Sequence, residues 1–419
     1  MQLNKSVAGA DLNFAVLSDV HITHRGQGIE KFTEAVMQLF AMDPKPDLLV
    51  LDGDVAYQID RAGAGSADQL YDEPYNMIMA VLRRYVKDTP VLYVMGNHEY
   101  GQNRHEDFMV KAAQELFKEK TGYPMHTHNV YGGYHFIGMS CDSYNCTFTP
   151  EVEAWGKAEI EKALADGTEK PVFVVFHGPV RDTVGDPTPL QSPEFEAFLR
   201  KNPRIVAVVG HLHTPVNDPR TIYQEKGGFT TIHTPLCAVG NCEIYGCENH
   251  CRSGGPVSQG LWYEVRGTQV QVHKLDFMQG KEVDVPWTLD TAALCHGEGY
   301  HYTDDRARIA NTPAFPKGAT LVLSAAAGRV SLRCPLAACA PAGASQDGFC
   351  GFYRVCFESD DGKRGTMLLS DDFYLLRPQT DFCATLPGTF SGERVTVTVT
   401  PVHIFGKEGR PLHRSVRVR

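Results

Sequence analysis

Five short apolar runs punctuate the first half of the chain, and each stops at a side chain able to hold a metal or move a proton. Val91–Met95 breaks at Gly96 into Asn97, His98, Glu99 and Tyr100. Phe14–Ser18 ends in Asp19-Val20-His21, and Leu48–Leu51 leads into Asp52-Gly53-Asp54. Val172–Phe176 ends in His177, and Ile205–Val209 runs into Gly210-His211-Leu212-His213. Continuous apolar runs of this length predict strands buried on both faces. Polar groups at their carboxyl ends lie where open α/β sheets hold ligands. A single such histidine is most simply a buried, hydrogen-bonded one. Five endings of one kind are not, because each buried imidazole without a metal needs a partner of its own.

Segments with helical spacing lie between these strands. Ile29, Phe32, Val36, Leu39 and Phe40 form one stripe closed by Pro44 and Pro46. Leu70 to Tyr85 forms a second, and Phe108, Ala112, Leu116 and Phe117 a third that stops near Gly122. Thr149-Pro150 and Ser192-Pro193 each supply a cap and a first-turn proline, for helices through Leu164 and Leu199. This alternation implies a layered α/β domain. Val130–Met139 and Thr230 to Phe277 read as strand after strand and predict a second sheet packed on the first. Met278 to about His301 is polar and without clear periodicity.

From about Tyr302 the runs Leu321–Ser324, Val330–Leu332, Phe352–Glu358, Met367–Leu369, Tyr374–Leu376 and Val395–Val402 predict short strands of a β-sandwich. The stretch from Val395 to Gly409 resembles the last hairpin of a fibronectin type III or immunoglobulin-like module. The expected division is residues 1–300 and 301–419.

A chain of 419 residues accommodates two domains. Its 42% hydrophobic and 21% charged content is that of an ordinary globular protein. A net charge of −10 argues against nucleic acid or an anionic membrane as main partner. It does not exclude a small anionic substrate, since bound metals invert the local field. No run approaches the roughly 20 apolar residues of a membrane span. Residues 1–13 lack the apolar segment of a cleavable signal, so a cytoplasmic location is expected, or a secreted one if a signal was removed. Cys237, Cys242, Cys247 and Cys251 cluster without the Cys-x-x-Cys spacing of zinc sites, and read as reduced thiols, local disulfides or a structural metal site.

Together, Asp19-x-His21, Gly53-Asp54, Gly96-Asn97-His98-Glu99, His177 and Gly210-His211-x-His213 resemble the five signature blocks of the calcineurin-like metallophosphoesterase superfamily, in order. The resemblance implies a four-layer α/β/β/α sandwich carrying two divalent or trivalent metal ions. Asp19, His21, Asp54 and His213 would hold one, and Asp54, Asn97, His177 and His211 the other. Two ions about 3.5–4 Å apart need a bridging ligand, for which the carboxylate of Asp54 is the candidate. Imidazole and carboxylate together suit Fe, Mn, Zn or Co. The implied activity is hydrolysis of small phosphomonoesters or phosphodiesters by a metal-bridging hydroxide, with His98 as proton donor.

Gly53-Asp54-Val55-Ala56-Tyr57 also resembles the Gly-Asp-x-x-Tyr block of purple acid phosphatases, in which the tyrosine binds iron. Those enzymes carry Gly where this chain has His21. The Asp-x-His branch therefore fits better, and Tyr57 reads either as packing beside the site or as a further metal ligand. His24, Arg25, Tyr100, Arg104 and Arg181 follow the blocks and are candidates for substrate contact, arginine because its planar fork suits phosphate. Glycines 53, 96 and 210 are expected to serve tight turns. The alternatives are a catalytically silent metal-stabilised scaffold, or a binding protein acting on a protein partner through the C-terminal module.

Overall fold

The computed structural model describes residues 1, 3, 9–58, 70–101, 107–184, 191–238, 241–248, 251–253, 257–343, 348–375 and 379–418. The chain divides into two compact units. One comprises Met1–Val216, Arg220–Cys242 and Ser253–Tyr300; the other comprises Asn217–Pro219, Glu243–Arg252 and His301–Arg419.

In the first unit, strands β1 (Leu12–Leu17), β2 (Leu48–Asp52) and β3 (Val91–Val94) run parallel in one sheet. Gln259–Arg266 and Gln269–Asp276 extend that sheet antiparallel beyond β1. Trp287–Asp290 pairs onto Gln269–Asp276, and a short helix, Thr291–Cys295, follows it. The stretch without periodicity is therefore partly ordered by pairing that its own sequence does not announce.

The second sheet takes β4 (His126–Tyr131), β5 (Tyr134–Met139), β6 (Val172–Val175), β7 (Ile205–Val209), β8 (Ile222–Gln224) and β9 (Thr230–His233), in the order β4-β5-β6-β7-β9-β8. Its four central strands are parallel. The sheets meet face to face: the Phe14 ring lies 5.1 Å from Phe136 and 5.0 Å from Phe173. Gly138 permits this approach, since a Cβ there would meet Leu92 at 3.0 Å and Val94 at 3.2 Å.

Helices α1 (Ile29–Phe40), α2 (Glu73–Val81) and α3 (Asp107–Thr121) cover the outer face of the first sheet. Phe32, Val36, Leu39, Tyr75, Ile78 and Phe117 pack there against Ala15, Leu17, Leu49, Leu51 and Tyr93. Each large side chain so buried contributes about 1.5–3 kcal/mol. The second apolar stripe splits, with α2 passing into a π-helical turn at Leu82–Val86. Helices α4 (Pro150–Leu164) and α5 (Pro193–Leu199) cover the other sheet, and their caps are the predicted ones. Thr149 accepts a hydrogen bond from Val152 N–H, and Ser192 from Phe195 N–H. Helices outside two facing sheets make the four-layer α/β/β/α sandwich.

The second unit is a β-sandwich. One sheet orders Arg364–Ser370, Phe352–Ser359, Arg394–Val402 and Leu412–Arg417; the other orders Val322–Ala326, Arg329–Pro335 and Asp381–Thr385. Val395, Val397 and Val399 point into the core and Thr396 points out, as the strict alternation requires. Tyr374 and Leu375, expected in a strand, lie in a turn begun at Phe373, and residue 376 falls outside the described residues.

Candidate metal centre

The two sheets bring their parallel strands' carboxyl ends to one edge of the sandwich, and the polar residues collect there. His21 Nε2 lies 3.4 Å from Asp54 Oδ2 and 3.8 Å from Asp19 Oδ1. His213 Nε2 lies 3.2 Å from Asp19 Oδ1. His177 Nε2 lies 3.0 Å from Asp54 Oδ2 and 3.8 Å from Asp19 Oδ1. Donor atoms of Asp19, His21, Asp54 and His213 all fall within 4.8 Å of one another. Beside them, Asn97 Oδ1 and His211 Nδ1 are 2.9 Å apart. Asp54 lies between them, with its Oδ2 3.0 Å from His177 Nε2 and 3.4 Å from His21 Nε2. All seven sequence-predicted ligands thus converge.

Several of these atoms are buried and make no hydrogen bond: Asp19 Oδ1, Asp54 Oδ2, His21 Nε2 and His177 Nε2. Leaving such groups unsatisfied costs roughly 1–3 kcal/mol each, more where charged. Carboxylate oxygens and imidazole nitrogens aimed at common points are what metal ions require, so the residues fit the group. The second polar atoms of His177, Asp54 and Asp19 are tied down. His177 Nδ1 donates to the Asp52 carbonyl at 2.7 Å, Asp54 Oδ1 accepts from His98 N–H at 2.7 Å, and Asp19 Oδ2 accepts from His211 N–H at 3.2 Å. Burial drives the carboxyls of Asp19 and Asp54 up, but the surrounding imidazoles, His177 foremost, hold both well below the usual carboxylate range. Asp52, buried behind them, is pushed well above it by burial, against the pull of His177 and with the neighbouring Asp19 and Asp54 charges adding to the rise.

The loops are locked by Glu99, whose carboxylate accepts from the backbone N–H groups of Asp54, Val55, Ala56 and Gly96 at 2.9–3.1 Å. Of the three glycines, Gly53 has the left-handed backbone expected (φ 80). Gly96 and Gly210 serve a different need. A Cβ on Gly96 would meet Asp54 Oδ1 at 2.3 Å, and one on Gly210 would meet Ser18 Oγ at 2.3 Å and His177 Nδ1 at 2.8 Å.

Residues 12–215 match the family model for calcineurin-like phosphoesterases. This segment is a calcineurin-like phosphoesterase domain. No curated protein matches the sequence. Among solved structures, a purple acid phosphatase from yellow lupin (Lupinus luteus) seeds is similar at 13% identity, covering 67% of this chain and 53% of that one, with TM-score 0.48. The chain thus spans about half the length of that relative. The GAP50 anchor of the Plasmodium inner membrane complex follows at 12% identity, 67% and 88% coverage and TM-score 0.41. A 5'-nucleotidase precursor from Thermus thermophilus gives 15%, 67% and 54%, and TM-score 0.32.

Around the centre of this phosphoesterase domain, exposure is one-sided. The side chains of His21, His98 and His213 are 10%, 15% and 12% exposed, while Asp19, Asp54 and His177 are fully buried. His98 Nε2 lies 3.9 Å from Asp54 Oδ2, outside the group of donor atoms around Asp19. Burial lowers its pKa to about 4 against the pull of Asp54. The Tyr57 ring stacks on His21 at 5.3 Å and meets His98 at 4.6 Å, and Tyr144 meets His98 edge-on at 5.6 Å.

Of the substrate-contact candidates, His24 stacks on Tyr71 at 4.1 Å and Arg25 is exposed. Tyr100 is fully buried, with its hydroxyl given to the Cys141 carbonyl, so it forms wall rather than contact. Arg181 is engaged by Glu196 at 3.2 Å, and Arg104 lies outside the described residues. Cys237, Cys242 and Cys247 are buried thiols, and the Cys251 side chain is outside the described residues.

Sequence reasoning missed two residues. His233 at the end of β9 is fully buried with neither ring nitrogen hydrogen-bonded, and burial lowers its pKa to about 3. Cys146 groups with His177 and His211. Burial pushes the Cys146 thiol up, but a hydrogen bond from Cys141 and the His211 charge bring it down to about 5. Its signal was available: β5 is a sixth apolar run, and the Cys141–Cys146 loop leaves its carboxyl end. No helix among the described residues is long and apolar enough to cross a membrane.

Proposed function

We propose that this chain is a dinuclear-metal phosphoesterase that hydrolyses small phosphomonoesters or phosphodiesters. The observation that carries the reading is the set of orphaned buried donor atoms on Asp19, His21, Asp54 and His177, with the partly exposed His98 beside them. Asp19, His21, Asp54 and His213 are taken to hold one ion, and Asp54, Asn97, His177 and His211 the other. Such ions polarise phosphoryl oxygens and acidify water. Substrate approaches from the side on which His21, His98 and His213 reach solvent. His98 is neutral at neutral pH and has one ring N–H to offer; an arriving phosphate anion raises its proton affinity. In that setting His98 donates to the leaving oxygen, and the stacked Tyr57 and edge-on Tyr144 keep its ring aimed. Residues 1–300 are read as the catalytic domain and 301–419 as a separate β-sandwich domain.

The test is metal content by mass spectrometry of the purified protein, with hydrolysis of p-nitrophenyl phosphate and bis-p-nitrophenyl phosphate. About two ions per chain and chelator-sensitive turnover are expected, and the faster substrate separates monoester from diester. No bound metal and no turnover with Mn, Fe or Zn supplied would make the chain a scaffold.

A further inference from the structure

Cys146 has no place in the ligand set above, yet its Sγ lies 3.3 Å from Asn97 Oδ1 and 3.6 Å from His211 Nδ1. One donor atom each from Cys146, His177 and His211 falls within 4.8 Å of the other two. His177 gives an independent sign of a ligand. Its Nδ1 is committed to the Asp52 carbonyl, while the fully buried Nε2 faces Asp54 Oδ2 at 3.0 Å without a well-formed hydrogen bond.

The loop is built to bring the sulfur there. Cys146 holds a left-handed backbone (φ 58), donates its N–H to the Ser143 carbonyl at 3.2 Å, and accepts from Gln191 Nε2 at 3.0 Å. Gly178, next to His177, leaves the space, since a Cβ there would meet Cys146 Cβ at 2.9 Å.

We propose that Cys146 is a metal ligand of the half-site formed by Asn97, His177 and His211. The proposal rests on the dinuclear reading above and assigns that half-site its ion class. A thiolate favours Zn, Co or Fe over Mg and Mn, whereas Asp19, His21 and His213 offer oxygen and nitrogen alone. The two halves of the centre therefore prefer different ions.

The experiment strips the full-length protein with chelator and reloads it with Co²⁺ alone. Wild type should show near-ultraviolet sulfur-to-cobalt charge-transfer absorption. Cys146→Ser should lose it, and Cys141→Ser, which changes the neighbouring buried thiol, should keep it. With Zn²⁺, X-ray absorption should show a sulfur neighbour at about 2.3 Å. Zn²⁺ affinity of Cys146→Ser should fall about tenfold or more. The zinc spectrum of wild type decides the matter if Cys146→Ser does not fold. Two bound ions with hydrolysis but no sulfur signal would overturn the Cys146 assignment and leave the phosphoesterase standing. No ion bound would overturn both.

Discussion

The first unit buries Asp19, Asp52, Asp54, Glu99, His177 and His233 at one edge of its sandwich, while the second fills its core with Val330, Leu332, Tyr353, Val355, Val395, Val397 and Val399. Backbone conformation divides the same way. Asp19, His21, Asp54, Cys146, His211 and His213 all have positive φ, a region unfavourable for residues with a side chain. In the second unit the described non-glycine case is Ala327, in a tight turn before Gly328. Six of the ten described non-glycine residues with positive φ thus sit at this edge, where the surrounding structure holds them in place.

The largest effect that would sharpen this contrast is expected from Asp54→Asn. If both half-sites share this carboxylate as proposed, metal content should fall toward zero and turnover should drop beyond the roughly 10⁴-fold of a lost general acid. The metal-free variant should melt no lower than metal-free wild type, since a buried charge beside Asp19 is gone. A lower melting point would mean that the polar edge is structural after all. His98→Ala should keep wild-type metal content and lose about 10²–10⁴-fold in rate; a parallel loss of metal would place His98 among the ligands. Leu332→Ala makes the opposite experiment in the dry core, where this residue is 2% exposed. It should cost about 2–5 kcal/mol in denaturant unfolding and leave turnover per folded molecule unchanged.

The smallest effects concern pH. In the first unit, burial works to lower the His273 pKa, but hydrogen bonds to Glu264 and Glu282 outweigh it and raise it. Its contribution is fully present below the unfolded value of about 6.5 and is lost as pH rises through the higher folded value. In the second unit, burial lowers His403 to about 4, and its Nδ1 accepts from Phe405 N–H. Here the unfolded chain takes up the proton first, so stability is full above about 6.5 and falls as pH drops toward 4. Melting temperature against pH in His273→Gln and His403→Gln should flatten opposite limbs of the profile. The same limb flattening in both would remove the distinction.

Much of this was legible in the sequence because strand burial and ligand chemistry use different residue types. An apolar run stopping at Asp, His or Gly-Asp marks both a strand end and a site, and all five predicted runs are strands. Cys146 escaped because it lies seven residues beyond the end of β5, in a loop without periodicity, so its link to that strand end is easily passed over. The collisions that forbid a Cβ at Gly96 and Gly210 come first from Asp54 and Ser18, distant in the chain, so those glycines read as ordinary turns. The strand Trp287–Asp290 was hidden for a similar reason, since its pairing partner rather than its own pattern makes it.

The second unit gathers three stretches of chain, 217–219, 243–252 and everything from His301 onward. Glu248 N–H, for instance, donates to the Leu368 carbonyl at 2.8 Å, across a gap in sequence longer than a hundred residues. During synthesis these early stretches leave the ribosome well before their partners exist. At roughly 5–20 residues per second the wait is on the order of ten seconds. The proposed metal ligands and His98, all N-terminal to Val216, have emerged before that interval begins. A chain cut at Tyr300 would keep those residues yet strand the 243–252 segment indefinitely, as a nascent chain does for seconds. Order of emergence, and not domain autonomy alone, then decides which truncations survive in a cell.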